Sequence, residues 1–204
     1  MEALARRAVG GSRVPLLDLK REFQAYREAL LAACERVLSG AHLIGGDEVR
    51  GFEAEMASYL GVRRTVGVAS GTDALALAIE ATGLRSGDEV LIQANAFVAD
   101  VEALRRVGAV PVPVDVNLDD LGPDPADVAA RATARTRGLL VVHLYGLPVD
   151  LRPLLAFARD RQLVVIEDCS HAHGATLDGR RVGGFGHAGA FSLGVVTNGR
   201  RRSM

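Results

Sequence analysis

The stretch Leu163–Gly174, LVVIEDCSHAHG, decides the fold class. Leu163 to Ile166 is apolar without alternation and rich in β-branched side chains, the pattern of a strand covered on both faces. A strand with one wet face would alternate with a period of two. The run then stops at Glu167, Asp168, Cys169, Ser170, His171 and His173, so reactive groups gather where a buried strand ends. Similar runs lie upstream: TVGVA at 65–69, EVLIQA at 89–94, VPVPVDV at 110–116 and GLLVVHLYG at 138–146. Between them sit stretches with helical spacing, DALALAIEATG, FVADVEALRRVG and LRPLLAFARDR. Strand and helix in alternation predict an α/β fold, a mostly parallel sheet with helices on both faces.

Further out, Leu19 to Leu38 has helical apolar spacing and stops at Ser39-Gly40. A second helix is expected over Asp47–Leu60, with Asp47 as a cap and Val49, Phe52, Met56, Tyr59 and Leu60 as its buried stripe. Leu121 to Gly138 reads as a proline-punctuated turn into an amphipathic helix. The 204 residues, 49% hydrophobic, 24% charged and of formal net charge −1, suit one soluble globular domain and do not favour nucleic acid. No run is long enough to span a bilayer, and Met1 to Gly11 lacks the apolar core of a secretory signal, so a cytoplasmic setting is expected. Cys34 and Cys169, far apart, give neither a disulfide framework nor a repeated zinc pattern. Of the 24 basic residues, Lys20 is the only lysine.

Ligands of open parallel sheets bind at the carboxyl ends of the strands. At the first, Ser70-Gly71-Thr72 leads straight into a helix, aiming free N–H groups and the positive dipole end at one point. That arrangement suits a phosphate, and it equally suits a plain N-cap by Ser70 or Thr72. At the second, a carboxylate at a buried strand end, Glu167 or Asp168, needs a partner, and a cationic ring nitrogen on a bound cofactor would serve. Cys169, His171 and His173 could alternatively ligate a metal or be satisfied core residues; a structural His173 is the stronger reading, because no second ligand cluster accompanies them. Gly184–Gly189, GFGHAG, matches a dinucleotide fingerprint literally but precedes an apolar stretch, so its glycines are read as turns.

The ordered set PLLDLK, GDEVRGFEAEMASYLGV, VGVASGTDALALAI, GDEVLIQANAFVADVEAL, VHLYGLPVDL, VVIEDCSHAHGA and HAGAFS, within Val14–Ser192, resembles the large domain of the DegT/StrS sugar aminotransferases, fold-type-I pyridoxal-phosphate enzymes. The resemblance implies that Gly71, Thr72 and Ser192 form a phosphate cup and that Phe97 stacks on the cofactor ring, ordinary core packing being its alternative. It also implies that Asp168 pairs with the pyridinium nitrogen, that His171 bonds the phenolic oxygen and that Glu167 is structural. It divides the chain into a flexible 1–13, an incomplete large domain over 14–196 and an aberrant basic tail over 197–204, with the small carboxyl-terminal domain missing. The family's Schiff-base lysine position falls on Thr197, which cannot form an imine, and Lys20 lies in the amino-terminal helix region.

The chain is therefore expected to hold pyridoxal 5'-phosphate or pyridoxamine 5'-phosphate without a covalent bond and to be inactive as written. Either a frameshift near codon 197 or a genuine truncated relative would produce that ending. For the intact family, the resemblance implies amino transfer from glutamate or glutamine to a keto group of a nucleotide-linked sugar or cyclitol, by a homodimer. The alternative is a non-catalytic relative that binds cofactor or nucleotide-sugar, or assembles with an intact homologue.

Overall fold

The unbroken apolar runs become strands in the computed structural model, which describes residues 18–193. The expectations for 1–13 and for 197–204, Thr197 included, lie outside the described residues. The chain divides into two compact units between Gly51 and Phe52. The first holds α1 (Leu19–Gly40), whose N-cap Asp18 accepts a hydrogen bond from the Arg21 N–H at 3.0 Å. None of its residues is buried; Leu19, Phe23, Tyr26 and Leu30 form an exposed apolar stripe.

The second unit contains a five-stranded sheet. In chain order its strands are β1 (Glu89–Gln93), β2 (Val110–Val114), β3 (Thr136–Val142), β4 (Val164–Asp168) and, after a short antiparallel pair β5 (Thr176–Leu177) and β6 (Arg180–Arg181), β7 (Ala188–Ala190). The spatial order is β2-β1-β3-β4-β7, and every pairing is parallel. Helix α2 (Asp47–Leu60) runs through the division at Gly51 and Phe52, α3 (Gly71–Ala81) precedes β1, and α4 (Val98–Arg106), α5 (Pro125–Arg131) and α6 (Leu151–Asp160) intervene between the strands.

Period-two alternation sorts the strand residues into two cores. Ile92, Leu140 and Ile166 pack with Leu75 and Ile79 of α3 and Leu104 of α4. Leu91, Leu139 and Val165 pack with Val128 of α5 and Leu151 and Leu154 of α6. Because both faces are covered, both residue sets must be apolar, which is why the runs do not alternate. Each fully buried Leu or Ile contributes about 1.5–3 kcal/mol.

Two expectations are corrected. Residues 65–69 do not form a strand. An extended segment becomes a strand only when a second backbone pairs with it, and here Glu53 takes that place: its carbonyl accepts from the Thr65 hydroxyl at 2.6 Å and its carboxylate from the Gly67 N–H at 2.7 Å. The stripe of α2 is also largely exposed, with Val49, Phe52 and Tyr59 all open to solvent and Ala57 and Leu60 the buried pair. Asp47 opens α2 and bonds the Arg50 guanidinium.

Candidate functional site

The carboxyl end of β4 brings Asp168 and Ser192 alongside each other, and Ser192 in turn meets Gly71. Asp168 is its last residue and is only 4% exposed. The Ser170 N–H donates to Asp168 Oδ1 at 2.8 Å, which turns the chain sharply and fixes the carboxylate. Beside it, β7 pairs Ala190 with Asp168, and the Cys169 N–H continues the ladder to Ala190 O. This register carries Ser192 past the edge of the sheet to the start of α3.

There Ser192 meets Gly71. A Cβ built on Gly71 would lie 2.7 Å from Ser192 Cβ and 3.2 Å from its Oγ, so only glycine admits this approach. Ser70 is the N-cap of α3: its hydroxyl accepts from the Asp73 N–H at 3.1 Å. With capping done by Ser70, the N–H groups of Gly71 and Thr72 find no acceptor among the described residues. They point from a helix amino terminus, where the dipole favours an anion.

Phe97 precedes α4 and is 59% exposed, so it is not a core residue; its ring is free to cover a ligand. His171 stacks with Tyr145 at 6.2 Å between ring centroids, and Tyr145 holds a left-handed φ of 56° to present its ring there. His173 has the structural role: its Nε2 lies 2.8 Å from Ser192 O, and its ring meets the edge of Phe191. The carbonyl it engages belongs to the residue packed on Gly71, so His173 anchors that contact.

Glu167 is structural as well, and its bonds explain the glycine-rich GFGHAG stretch. Its carboxylate accepts the N–H groups of Gly183, Phe185 and Gly186, each at 2.7 Å, drawing that loop under the sheet. A side chain at Gly186 would strike Val165 O at 2.6 Å. Burial raises the Glu167 pKa, but the hydrogen bonds from His143, Gly186 and Gly183 outweigh it and the net shift is downward. His143, a residue the sequence did not single out, completes the brace. Its Nδ1 accepts the Val149 N–H at 3.0 Å, which leaves the proton on Nε2 to donate to Glu167 at 3.2 Å.

The metal alternative gains nothing from Cys169, His171 and His173. Among the described residues the potential ligand atoms that converge, within 4.8 Å, belong to His143, Glu167 and Cys169. Both nitrogens of His143 are already engaged, and burial, then the charges of Glu167 and Asp168, push the Cys169 thiol well above its ordinary pKa.

A second missed residue is Asp100, in the first turn of α4. It is completely buried, and neither carboxyl oxygen has a hydrogen-bond partner. Burial first, and then the charge of Asp168, push its pKa up to about 8. Taken as a donor set, N–H groups without an acceptor among the described residues, a fixed carboxylate and an exposed aromatic ring fit a phosphorylated, cation-bearing ring.

The family profile for the DegT/DnrJ/EryC1/StrS aminotransferase family matches residues 24–194. The UDP-N-acetyl-3-dehydro-alpha-D-glucosamine 3-aminotransferase of Acidithiobacillus ferrooxidans is 43% identical over 88% of this chain and 49% of its own length. The X-ray structure of Streptomyces venezuelae DesV, in complex with ketimine intermediate, superposes with a TM-score of 0.79 at 43% identity, covering 85% of this chain and 47% of that one. That of NtdA from Bacillus subtilis, with bound cofactor PMP, gives 0.77 at 33% identity, covering 84% and 40%. The chain spans about half the length of the curated relatives it matches. Among the described residues no helix is long and apolar enough to cross a membrane.

Proposed function

Because this chain belongs to the DegT/DnrJ/EryC1/StrS aminotransferase family, whose members depend on pyridoxal phosphate, we propose that it carries the cofactor-binding half of a nucleotide-sugar aminotransferase. The observation that carries this reading is the seating of Ser192 on Gly71 beside the strand end that bears Asp168. In this reading the Gly71 and Thr72 N–H groups hold the phosphate, with Ser192 alongside. Asp168 keeps the ring nitrogen protonated by offering it a fixed negative charge. Phe97 covers the ring, and His171 hydrogen-bonds its phenolic oxygen. When bound, the cofactor supplies an electron sink for the carbon that gains or loses a proton.

The overall reaction of the whole protein is amino transfer from glutamate or glutamine to a keto carbon of a nucleotide-linked sugar or cyclitol, which leaves the donor as its keto acid. The relatives' names, which place the amino group on UDP- and dTDP-linked sugars, support that substrate class. A homodimer in the cytoplasm belongs to the same reading.

Within the 204 residues, Thr197 stands at the family's lysine position and Lys20 is the single lysine. A hydroxyl cannot form an imine, so this chain retains the cofactor by contacts alone and does not turn over. The same residue favours a second reading, a binding-only relative that assembles with an intact homologue. Fluorescence titration of the chain with pyridoxal phosphate tests the site. Saturable one-to-one binding that Asp168→Ala abolishes is expected; absence of binding, or equal binding by the variant, would overturn it.

A further inference from the structure

Asp100 stands apart from every other acidic side chain in the described structure. It sits in the first turn of α4, where an acid ordinarily faces water and favours the helix dipole, yet it is 0% exposed and both its oxygens lack hydrogen-bond partners. Asp100, Ala103 and Leu104 form the buried side of α4, so the carboxyl points inward with the core residues. An ionised carboxylate without partners is not stable there, and a proton on the group removes most of that cost.

The surroundings say where the charge goes. The one titratable group acting on Asp100 is Asp168, at the end of β4. Other charges on the packed elements are either bonded elsewhere or, like Arg105 of α4, exposed. Asp73 of α3 and Glu102 of α4 bond Arg106 at the surface, at 3.1 and 2.8 Å. Glu80 of α3 is exposed, and β2 carries no charged residue. Glu89 of β1 is held by Thr133 and Arg135, while Glu167 is held by His143 and three N–H groups. Asp168 accepts the Ser170 N–H at 2.8 Å, whereas neither Asp100 oxygen is reached at hydrogen-bond geometry, and the pull of the Phe97 and Asp100 N–H groups on its carboxylate is outweighed by burial and the charge of Asp168. Two neighbouring buried acids cannot both ionise, so the proton resides on Asp100.

We propose that Asp100 is a positioning residue acting through Asp168: it stays a neutral carboxylic acid, its O–H is directed to the Asp168 carboxylate, and the two acids together present one negative charge at the carboxyl end of β4. The inference rests on the reading above only in the use made of that charge, which is to face the protonated ring nitrogen of the cofactor. No covalent step is involved. The pair fixes the orientation of Asp168 and supplies one countercharge where two would repel each other.

Two measurements decide it. The first needs no cofactor: carbon-13 NMR titration of the unliganded chain labelled at its aspartate carboxyls, with the Asp100 signal assigned by its loss in Asp100→Asn. One carboxyl that remains protonated above pH 6 and is lost in that variant is expected; if every aspartate ionises below pH 5, the proposal is overturned. The second is the affinity for pyridoxal phosphate of Asp100→Asn, which keeps an N–H donor toward Asp168, and of Asp100→Leu, which does not. The asparagine variant is expected to bind within about twofold of wild type and the leucine variant about tenfold more weakly, the scale of a hydrogen bond to a charged group. Equal binding by the leucine variant, or equal loss in both, overturns the positioning role. A wild-type chain that shows the protonated carboxyl but never binds the cofactor sinks the function proposed above and the use of this charge, while the shared proton stands.

Discussion

Replacing Gly71 by alanine puts a methyl carbon 2.7 Å from Ser192 Cβ, 3.2 Å from its Oγ and 3.4 Å from its Cα. Ordinary carbon contacts lie at about 3.5–4.0 Å, so Ser192 or the amino terminus of α3 must retreat by about 1 Å. Overpacking of this kind costs about 1–3 kcal/mol. Alanine's better helix propensity returns less than about 1 kcal/mol, leaving a loss of about 1–2 kcal/mol. The same retreat draws Ser192 away from the Gly71 and Thr72 N–H groups, so affinity for pyridoxal phosphate should fall about tenfold, equivalent to about 1.4 kcal/mol. Urea unfolding and equilibrium titration of Gly71→Ala, Ser192→Gly and the double variant close a thermodynamic cycle. Removing the Ser192 side chain leaves its Cα as the nearest atom at 3.4 Å, so the double variant should recover at least about 1 kcal/mol relative to additivity. The reasoning is refuted if Gly71→Ala is as stable as wild type, or if Ser192→Gly relieves none of its cost.

Other consequences concern the buried acids and the exposed ring. Asp100 binds a proton more tightly in the folded than in the unfolded chain, because burial and then Asp168 raise its pKa from 3.8 to about 8. Stability should therefore fall as pH rises between those two values, by a few kcal/mol in all, and Asp100→Asn should flatten that limb in thermal melts across pH. Glu167 has the opposite sign: its lowered pKa makes its contribution complete above the unfolded value and lost as pH falls through the folded one. Glu167→Gln sets an amide against N–H donors and should cost about 1–3 kcal/mol at neutral pH by urea unfolding, with weaker acid sensitivity than wild type. Phe97→Ala, at an exposed position, should change unfolding stability by less than about 0.5 kcal/mol yet weaken cofactor binding about fivefold by fluorescence titration.

The parts of the fold that depend on local chemistry are readable in the residues. Unbroken apolar runs disclose strands with two covered faces, and polar residues at their carboxyl ends mark where the proposed site is read. Pairing is not local, so TVGVA looks like the other strands although Glu53, rather than another backbone, satisfies Thr65 and Gly67. Apolar spacing on α1 and α2 discloses a face without naming what covers it, which is why the predicted stripe of α2 is mostly exposed. His143 is hidden in an apolar run, and only the folded chain brings it to Glu167, 24 residues away. Asp100 left a usable signal: it falls three and four residues before Ala103 and Leu104, on the buried stripe of its helix. An acid in such a stripe needs either a partner or a proton, and the partner, Asp168, is brought near only by the packing of α4 on the sheet.

The central claim is that this polypeptide grips vitamin B6 phosphate by anion cradle and countercharge, with no covalent link. Intact-mass analysis of the cofactor-saturated 204-residue chain after borohydride reduction, paired with the binding isotherm, tests it most directly. The account predicts one-to-one saturable binding and a protein mass unchanged by reduction. A stoichiometric reduced adduct on a lysine, or no binding at all, would contradict it.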